Sequence, residues 1–94
     1  MRVVLLPRAL QDLVALRAYI ARNNPAAAEQ IADRIERAIG RLADAPRLGR
    51  PGRVSGTREL VITGTPYIAA YRARPQRIEV LRIVHGARRW PRRF

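Results

Sequence analysis

The chain contains no cysteine and no lysine, and its 94 residues include a single histidine. Without thiols, disulfide bonds and thiolate chemistry are excluded, and such a composition suits a reducing compartment. Long apolar runs are also missing: the opening segment Met1–Leu6 stops at Pro7, which is too short for a signal-peptide core or a membrane span. We therefore expect a soluble, cytoplasmic protein that does not enter a membrane.

Acidic residues are scarce as well. The chain has seven of them against 19 basic residues, all arginine, and the formal net charge is +12. Such a surface attracts polyanions, which means nucleic acid, an anionic membrane or an acidic protein. A hydrophobic content of 48% in 94 residues predicts one folded domain, residues 1–94, with a modest core.

The second half of the chain predicts three consecutive strands, at residues 57–63, 67–73 and 77–84. These runs have strand length, carry β-branched and aromatic residues, and are bounded by glycine and proline. The turns between them, Gly64–Pro66 and Arg74–Gln76, are so short that they can join only neighbouring antiparallel strands. The sequence therefore predicts an antiparallel meander.

Arg82 interrupts the apolar pattern of the last predicted strand. Strict alternation places it on the same face as Ile78 and Val80. One interpretation is that its aliphatic stem packs on the sheet while its charged head reaches water, Glu59 or Glu79. The other is that Arg82 faces a partner or a substrate.

The first half predicts a strand at Val3–Leu6, buried on both faces, and then two helices. The first helix spans Arg8–Arg22; the second begins at Pro25 after the capping residue Asn24 and ends near Ala45. Their short connection predicts an antiparallel hairpin whose apolar stripes pack on the sheet. The stripe of the first helix comprises Leu10, Leu13, Leu16 and Ile20, widened by Val14 and Tyr19. The predicted fold is α+β, with the order β-α-α-β-β-β and a two-helix hairpin on one face of a mainly antiparallel sheet.

Two basic segments are candidates for contact with a target. The first, Pro46–Ser55, predicts a surface loop whose Arg50 and Arg53 are either solvated or beside a site. The second follows the last strand and has four arginines after Ala87, which form a solvated tail or a surface for something anionic. The candidate contact residues in and before this tail are Arg82, His85, Arg88, Arg89 and Trp90.

Several fragments, in order and at matching spacing, resemble the RelE/ParE superfamily of bacterial type II toxins over essentially the whole length. No single fragment is decisive. They are Ala9–Leu13, Tyr19–Ala21, Asn24–Ala28, Leu42–Pro46, Gly49–Arg53, Gly56–Leu60, Pro66–Ile68, Tyr71-Arg72, Ile78–Ile83 and His85–Trp90.

This resemblance implies a toxin that is neutralised by a cognate antitoxin. In this superfamily the antitoxin's C-terminal segment wraps the toxin, and such segments are commonly acidic, as in a ParD-like partner. The charge of +12 independently favours an acidic partner. The resemblance also leaves two activities open, since ParE-like members poison DNA gyrase and RelE-like members cut mRNA on the ribosome.

The sequence departs from the nuclease branch of the superfamily. That branch carries an Arg-Leu-Val-Tyr run in its middle strand, where this chain has Ile68–Tyr71, and RelE relies on lysines, which are absent here. We therefore predict a ParE-like gyrase inhibitor, which needs no metal or organic cofactor and catalyses nothing itself. If the protein is instead an mRNA endonuclease, the candidate catalytic residues are Arg58, Arg82, His85 and Arg88. A general nucleic-acid-binding module is a third possibility, with salt-sensitive, sequence-blind affinity for phosphates.

Overall fold

The computed structural model describes residues 1–94 and contains two helices and one five-stranded sheet. The predicted α+β fold is confirmed. A 3₁₀ turn, Arg41–Ala43, continues the second helix. No helix is both long and apolar enough to cross a bilayer. The elements in chain order are β1 (Arg2–Leu5), α1 (Pro7–Ala21), α2 (Pro25–Gly40), β2 (Arg50–Pro51), β3 (Arg58–Val61), β4 (Tyr67–Ala73) and β5 (Arg77–His85).

The strands lie side by side in the order β1-β5-β4-β3-β2. β1 is parallel to β5 and every other neighbouring pair is antiparallel. β1 is thus an edge strand whose residues are half-buried or exposed, and the prediction that it is buried on both faces was wrong. The segment Pro46–Ser55 is not only a loop, because Arg50 and Pro51 pair with β3.

One face of the sheet forms the hydrophobic core with the helical hairpin. Ala9, Leu13 and Leu16 of α1 are buried there, but Leu10, Val14 and Tyr19 are 52%, 62% and 59% exposed. At 100° per residue, Leu10 and Tyr19 lie roughly 90° to either side of the buried stripe. The prediction that these three residues join the core stripe was therefore wrong, and α1 presents apolar side chains on both flanks.

A β-bulge in β5 changes which residues face the helices. Tyr71 of β4 pairs with Val80, whereas its neighbour Ala70 pairs with Arg82, so Leu81 is the extra residue. The alternation reverses there, and Ile83 joins Val80 in the core. Strict alternation, which grouped Arg82 with Val80, was therefore wrong: the bulge takes Arg82 out of the core set that Val80 and Ile83 share.

Candidate target-contact site

A cleft of about 380 Å³ lies between α1 and the C-terminal end of β5. Four of the predicted site residues line it: Arg82, His85, Arg88 and Arg89. The cleft forms here because β1 ends at Leu5, and β5 continues past it along α1. The remaining walls include Asp12, Tyr19 and Tyr67, which sequence reasoning did not propose as site residues.

Arg82 is bound to Asp12 of α1. Its Nε and Nη2 atoms donate to the two carboxylate oxygens at 2.7 and 3.1 Å, and the same carboxylate accepts the Ile83 backbone N–H at 2.9 Å. The Asp12 carboxylate thus accepts a backbone N–H of β5 beyond the point where β1 ends and no longer pairs with that strand. The hydrogen bond to Asp12 raises the pKa of Arg82. The prediction of Glu59 or Glu79 as the carboxylate partner was wrong, since Asp12 takes that place and engages Arg82 within the protein.

His85 is held in the wall of the cleft. Its Nδ1 atom accepts the Ala87 backbone N–H at 3.1 Å, which leaves Nε2 to carry the proton of the neutral ring. The imidazole meets the edge of Tyr67 with ring centroids 5.6 Å apart, and burial raises the pKa of Tyr67. His85 can therefore present one N–H donor to a ligand in the cleft.

A second basic cluster is built around Glu59 of β3, on the sheet face opposite the helices. Glu59 is only 3% exposed. Arg50 donates to it at 3.1 and 3.3 Å, and Arg53 donates from its side chain at 3.0 and 3.3 Å and from its backbone N–H at 2.8 Å. Burial alone would raise the pKa of Glu59, but the hydrogen bonds from Arg53 and Arg50 outweigh it and hold the pKa below its usual value.

Trp90 of the C-terminal tail belongs to this second cluster and does not line the cleft. The Arg53 guanidinium carbon lies 3.9 Å from the centre of the indole ring, a cation–π contact. The indole Nε1–H is buried and has no acceptor among the protein's own atoms.

Arg58 lies apart from the other candidate catalytic residues. Its Nη1 atom donates to the Gly49 carbonyl at 2.7 Å, and it lines a separate cavity of about 350 Å³ together with Arg47 and Arg72. The set proposed for RNA cleavage is thus divided between two places: Arg82, His85 and Arg88 share the cleft, and Arg58 does not.

Glu79 of β5 forms a further ionic cluster that sequence reasoning did not predict. Arg72, its direct cross-strand partner, donates to it at 2.8 Å, and Arg74 and Arg77 bind the same carboxylate. The hydrogen bond from Arg72 is the main cause that lowers the pKa of Glu79 to about 2. The sequence contains a pattern that could have predicted this cluster, since three arginines lie in or beside the short turn before Glu79.

Comparison with known proteins places this architecture in the RelE/ParE superfamily of toxins. The family model described as "ParE toxin of type II toxin-antitoxin system, parDE" matches residues 3–90. A solved structure titled "Chromosomal ParDE TA system from P. aeruginosa" superposes with a TM-score of 0.83 at 26% identity, over 90% of this chain and 95% of that chain. The chain belongs to the ParE toxin family of type II toxin–antitoxin systems.

Two curated relatives are also named as toxins. "Putative toxin Y4kP" of Sinorhizobium fredii is 43% identical over 89% of this chain and 86% of that protein. "Toxin RelE2" of Caulobacter vibrioides is 40% identical over 86% of this chain and 90% of that protein. Both names describe toxins, and they do not separate gyrase inhibition from mRNA cleavage.

Proposed function

We propose that this toxin inhibits DNA gyrase, and thereby replication, in the cytoplasm, and that a cognate antitoxin neutralises it. The observation that carries the proposal is the state of the candidate nuclease residues. Arg82 is paired with Asp12, Arg58 is bound to a carbonyl in a different place, and neither is free to neutralise a phosphate in the cleft. Ribonucleolytic attack by a 2′-OH requires a base, an acid and cations around one phosphate.

The middle strand supports the same proposal. Ile68, Ala69 and Ala70 of β4 are buried and apolar, so this stretch of the middle strand supplies no cation of its own. The arginines are spread over the ionic clusters of the sheet, the cleft and the tail. Such an arrangement suits contact with a large anionic surface, such as the DNA held by gyrase, better than chemistry on one phosphate.

The RelE-like alternative, a ribosome-dependent mRNA endonuclease, remains supported by the 40% identity to "Toxin RelE2". His85 and Arg88 share the cleft, where the imidazole of His85 could act as the general acid or base. In this alternative Arg82 would have to leave Asp12 to act.

A gyrase assay decides between the two activities. The purified toxin is added to supercoiling and DNA-cleavage reactions, with and without its antitoxin, and in parallel to ribosomes translating a defined mRNA. Loss of supercoiling with accumulation of cleaved DNA, reversed by the antitoxin, is the expected result. Cleavage of the mRNA in the ribosomal A site, abolished by His85→Ala, would instead establish the endonuclease. Salt-sensitive DNA binding with no effect in either assay would favour the general nucleic-acid-binding module.

We also propose that the antitoxin covers the exposed apolar residues of α1. Leu10 and Val14 lie on one flank of the helix and Tyr19 lies on the other, beside the cleft. An amphipathic, acidic segment could bury these side chains while its carboxylates meet the surrounding arginines.

The antitoxin surface is tested by placing a charge on it. Val14→Glu puts a carboxylate on the apolar flank, and we expect it to weaken antitoxin binding by about tenfold or more, because the carboxylate must be desolvated in the complex. Gln30→Glu is the matched control, since it adds the same charge at an exposed position of α2. Equal affinities for the two variants, measured by calorimetry, would place the antitoxin elsewhere.

A further inference from the structure

Glu59 fixes two arginines that would otherwise be free. The carboxylate is buried, while the side chains of Arg50 and Arg53 remain 53% and 46% exposed. The Glu59 oxygens hold the inner N–H groups of both guanidinium groups, and their outer surfaces stay open to solvent. Arginine forms such forked contacts with little further loss of freedom because its guanidinium is planar.

The stack of Arg53 on Trp90 is the main specific contact between the end of the tail and the body of the protein. Backbone hydrogen bonds tie the chain down at Gly86 and Arg88. No hydrogen bond joins residues 89–94 to any other part of the chain. This final segment still contains Arg89, Arg92 and Arg93, whose positions therefore depend on where Trp90 sits.

The docking of Trp90 depends on the orientation of Arg53. The indole Nε1–H has no acceptor among the protein's own atoms, so no hydrogen bond to the body adds to the stack on Arg53. Arg53 in turn is aimed by Glu59. A loss at either residue should release the tail.

We propose that Glu59 is a positioning residue, which acts through Arg53 and Trp90 to hold the arginines of the C-terminal tail in place for contact with an anionic target. The target part of this proposal rests on the proposed function, in which the anion is the DNA bound by gyrase. The positioning part stands independently of the target.

Trp90 is the only tryptophan of the chain, so its fluorescence reports on the docking directly. We compare acrylamide quenching in the wild type, Glu59→Gln and the control Asp33→Asn. Asp33 makes an exposed ion pair with Arg37 on α2, and its variant changes the net charge by the same amount. We expect quenching to rise in Glu59→Gln and to be unchanged in Asp33→Asn, because a cation–π contact shifts the docked-to-undocked ratio by about two- to thirtyfold.

A double-mutant cycle separates positioning from a general structural effect. Arg53→Ala removes the stack at a position whose side chain is half-exposed, and it should raise quenching by itself. If Glu59 acts through Arg53, adding Glu59→Gln to Arg53→Ala changes the quenching no further. If the two substitutions instead raise quenching additively, the proposal is wrong. It is also wrong if acrylamide quenches Trp90 of the wild type as strongly as Trp90 of Arg53→Ala. Should Glu59→Gln fail to fold, the Arg53→Ala comparison still decides whether the tail is docked.

The gyrase assay then tests the consequence for the target. We expect both Arg53→Ala and Glu59→Gln to weaken inhibition, and Asp33→Asn to match the wild type. If the wild type does not inhibit gyrase, the proposed function fails while the quenching results still stand. If Arg53→Ala and Glu59→Gln release the tail but inhibit gyrase to the same extent as the wild type, the position of the tail does not matter for the target. The part of the inference that concerns the target is then wrong.

Discussion

Asp12 joins α1 to β5 through three hydrogen bonds, two to Arg82 and one to the Ile83 backbone N–H. Asp12→Ala should lower the free energy of unfolding by about 2–3 kcal/mol, since it leaves a half-buried guanidinium and a backbone donor unpaired. Asp33→Ala, which removes an exposed i,i+4 pair with Arg37, should cost no more than about 0.5 kcal/mol. Urea denaturation of both variants measures the difference.

The intermediate variant Asp12→Asn separates the two roles of this carboxylate. Its amide oxygen can still accept the Ile83 N–H but cannot form the ion pair. A stability between those of the wild type and Asp12→Ala is expected. If Asp12→Ala were no worse than Asp33→Ala, the link between α1 and β5 would be dispensable.

Glu79 makes stability depend on pH in a defined window. Its pKa is lowered from 4.5 to about 2 in the folded protein, so the native state binds protons less readily than the unfolded chain. The stabilisation is therefore fully present above pH 4.5 and is lost as the pH falls towards about 2. Glu59, whose pKa is also lowered, adds to the same loss.

Denaturation midpoints recorded at several pH values between 4.5 and 2 test this window. Glu79→Gln should flatten the decline while being less stable at neutral pH, because three arginines lose their partner. Glu36→Gln is the control, since Glu36 is exposed and makes no ion pair. A decline as steep in Glu79→Gln as in the control would show that the acid sensitivity arises elsewhere.

At the scale of elements, α2 begins at a cap that the sequence predicts. The Asn24 side chain accepts the Ala27 backbone N–H at 3.0 Å, and Pro25 occupies the first helical position. Asn24→Ala should destabilise the protein by about 1 kcal/mol, within the range of roughly 0.5–2 measured for such caps. The neighbouring Asn23, exposed and without a side-chain hydrogen bond, provides the control Asn23→Ala. Thermal denaturation should separate the two variants, and equal midpoints would mean that the cap contributes nothing.

Elements with a strong local signal were predictable. β4 has the predicted bounds Tyr67–Ala73, because apolar residues between Pro66 and Pro75 leave little else for that segment to form. β2 was missed, since a strand of two residues has no periodicity. It pairs with β3 through Arg50 and Glu59, and an ionic contact across nine residues leaves no local pattern.

The candidate site was only partly predictable, for a different reason. The clustering of His85, Arg88 and Arg89 follows from their nearness in sequence. The partner of Arg82 could not be deduced, because Asp12 is 70 residues away and because the bulge at Leu81 reverses the alternation on which the prediction depended. A bulge depends on tertiary packing and has no signature in a single strand.

At the scale of the whole molecule, charge is distributed unevenly. Five of the seven carboxylates pair with eight arginines. The paired arginines belong mainly to the helices and the sheet, whereas those of the C-terminal tail have no carboxylate partner. Eleven arginines have no carboxylate partner, and four of them lie within the six residues Arg88–Arg93. The tail is therefore a dense run of unpaired positive charge, and it should contribute strongly to the attraction to polyanions.

The tail's share of this attraction can be measured from the salt dependence of binding to a labelled DNA duplex. Each phosphate neutralised contributes about 0.9 to the slope of log affinity against log salt. The double variant Arg92→Gln and Arg93→Gln should reduce that slope by up to about 1.8. Arg17→Gln with Arg37→Gln removes the same net charge from arginines already paired with Glu29 and Asp33, and it should change the slope much less. Fluorescence anisotropy over a salt series distinguishes the two variants. Equal reductions would show that net charge alone governs the attraction, whereas a reduction confined to the tail variant would show that DNA contacts the tail itself.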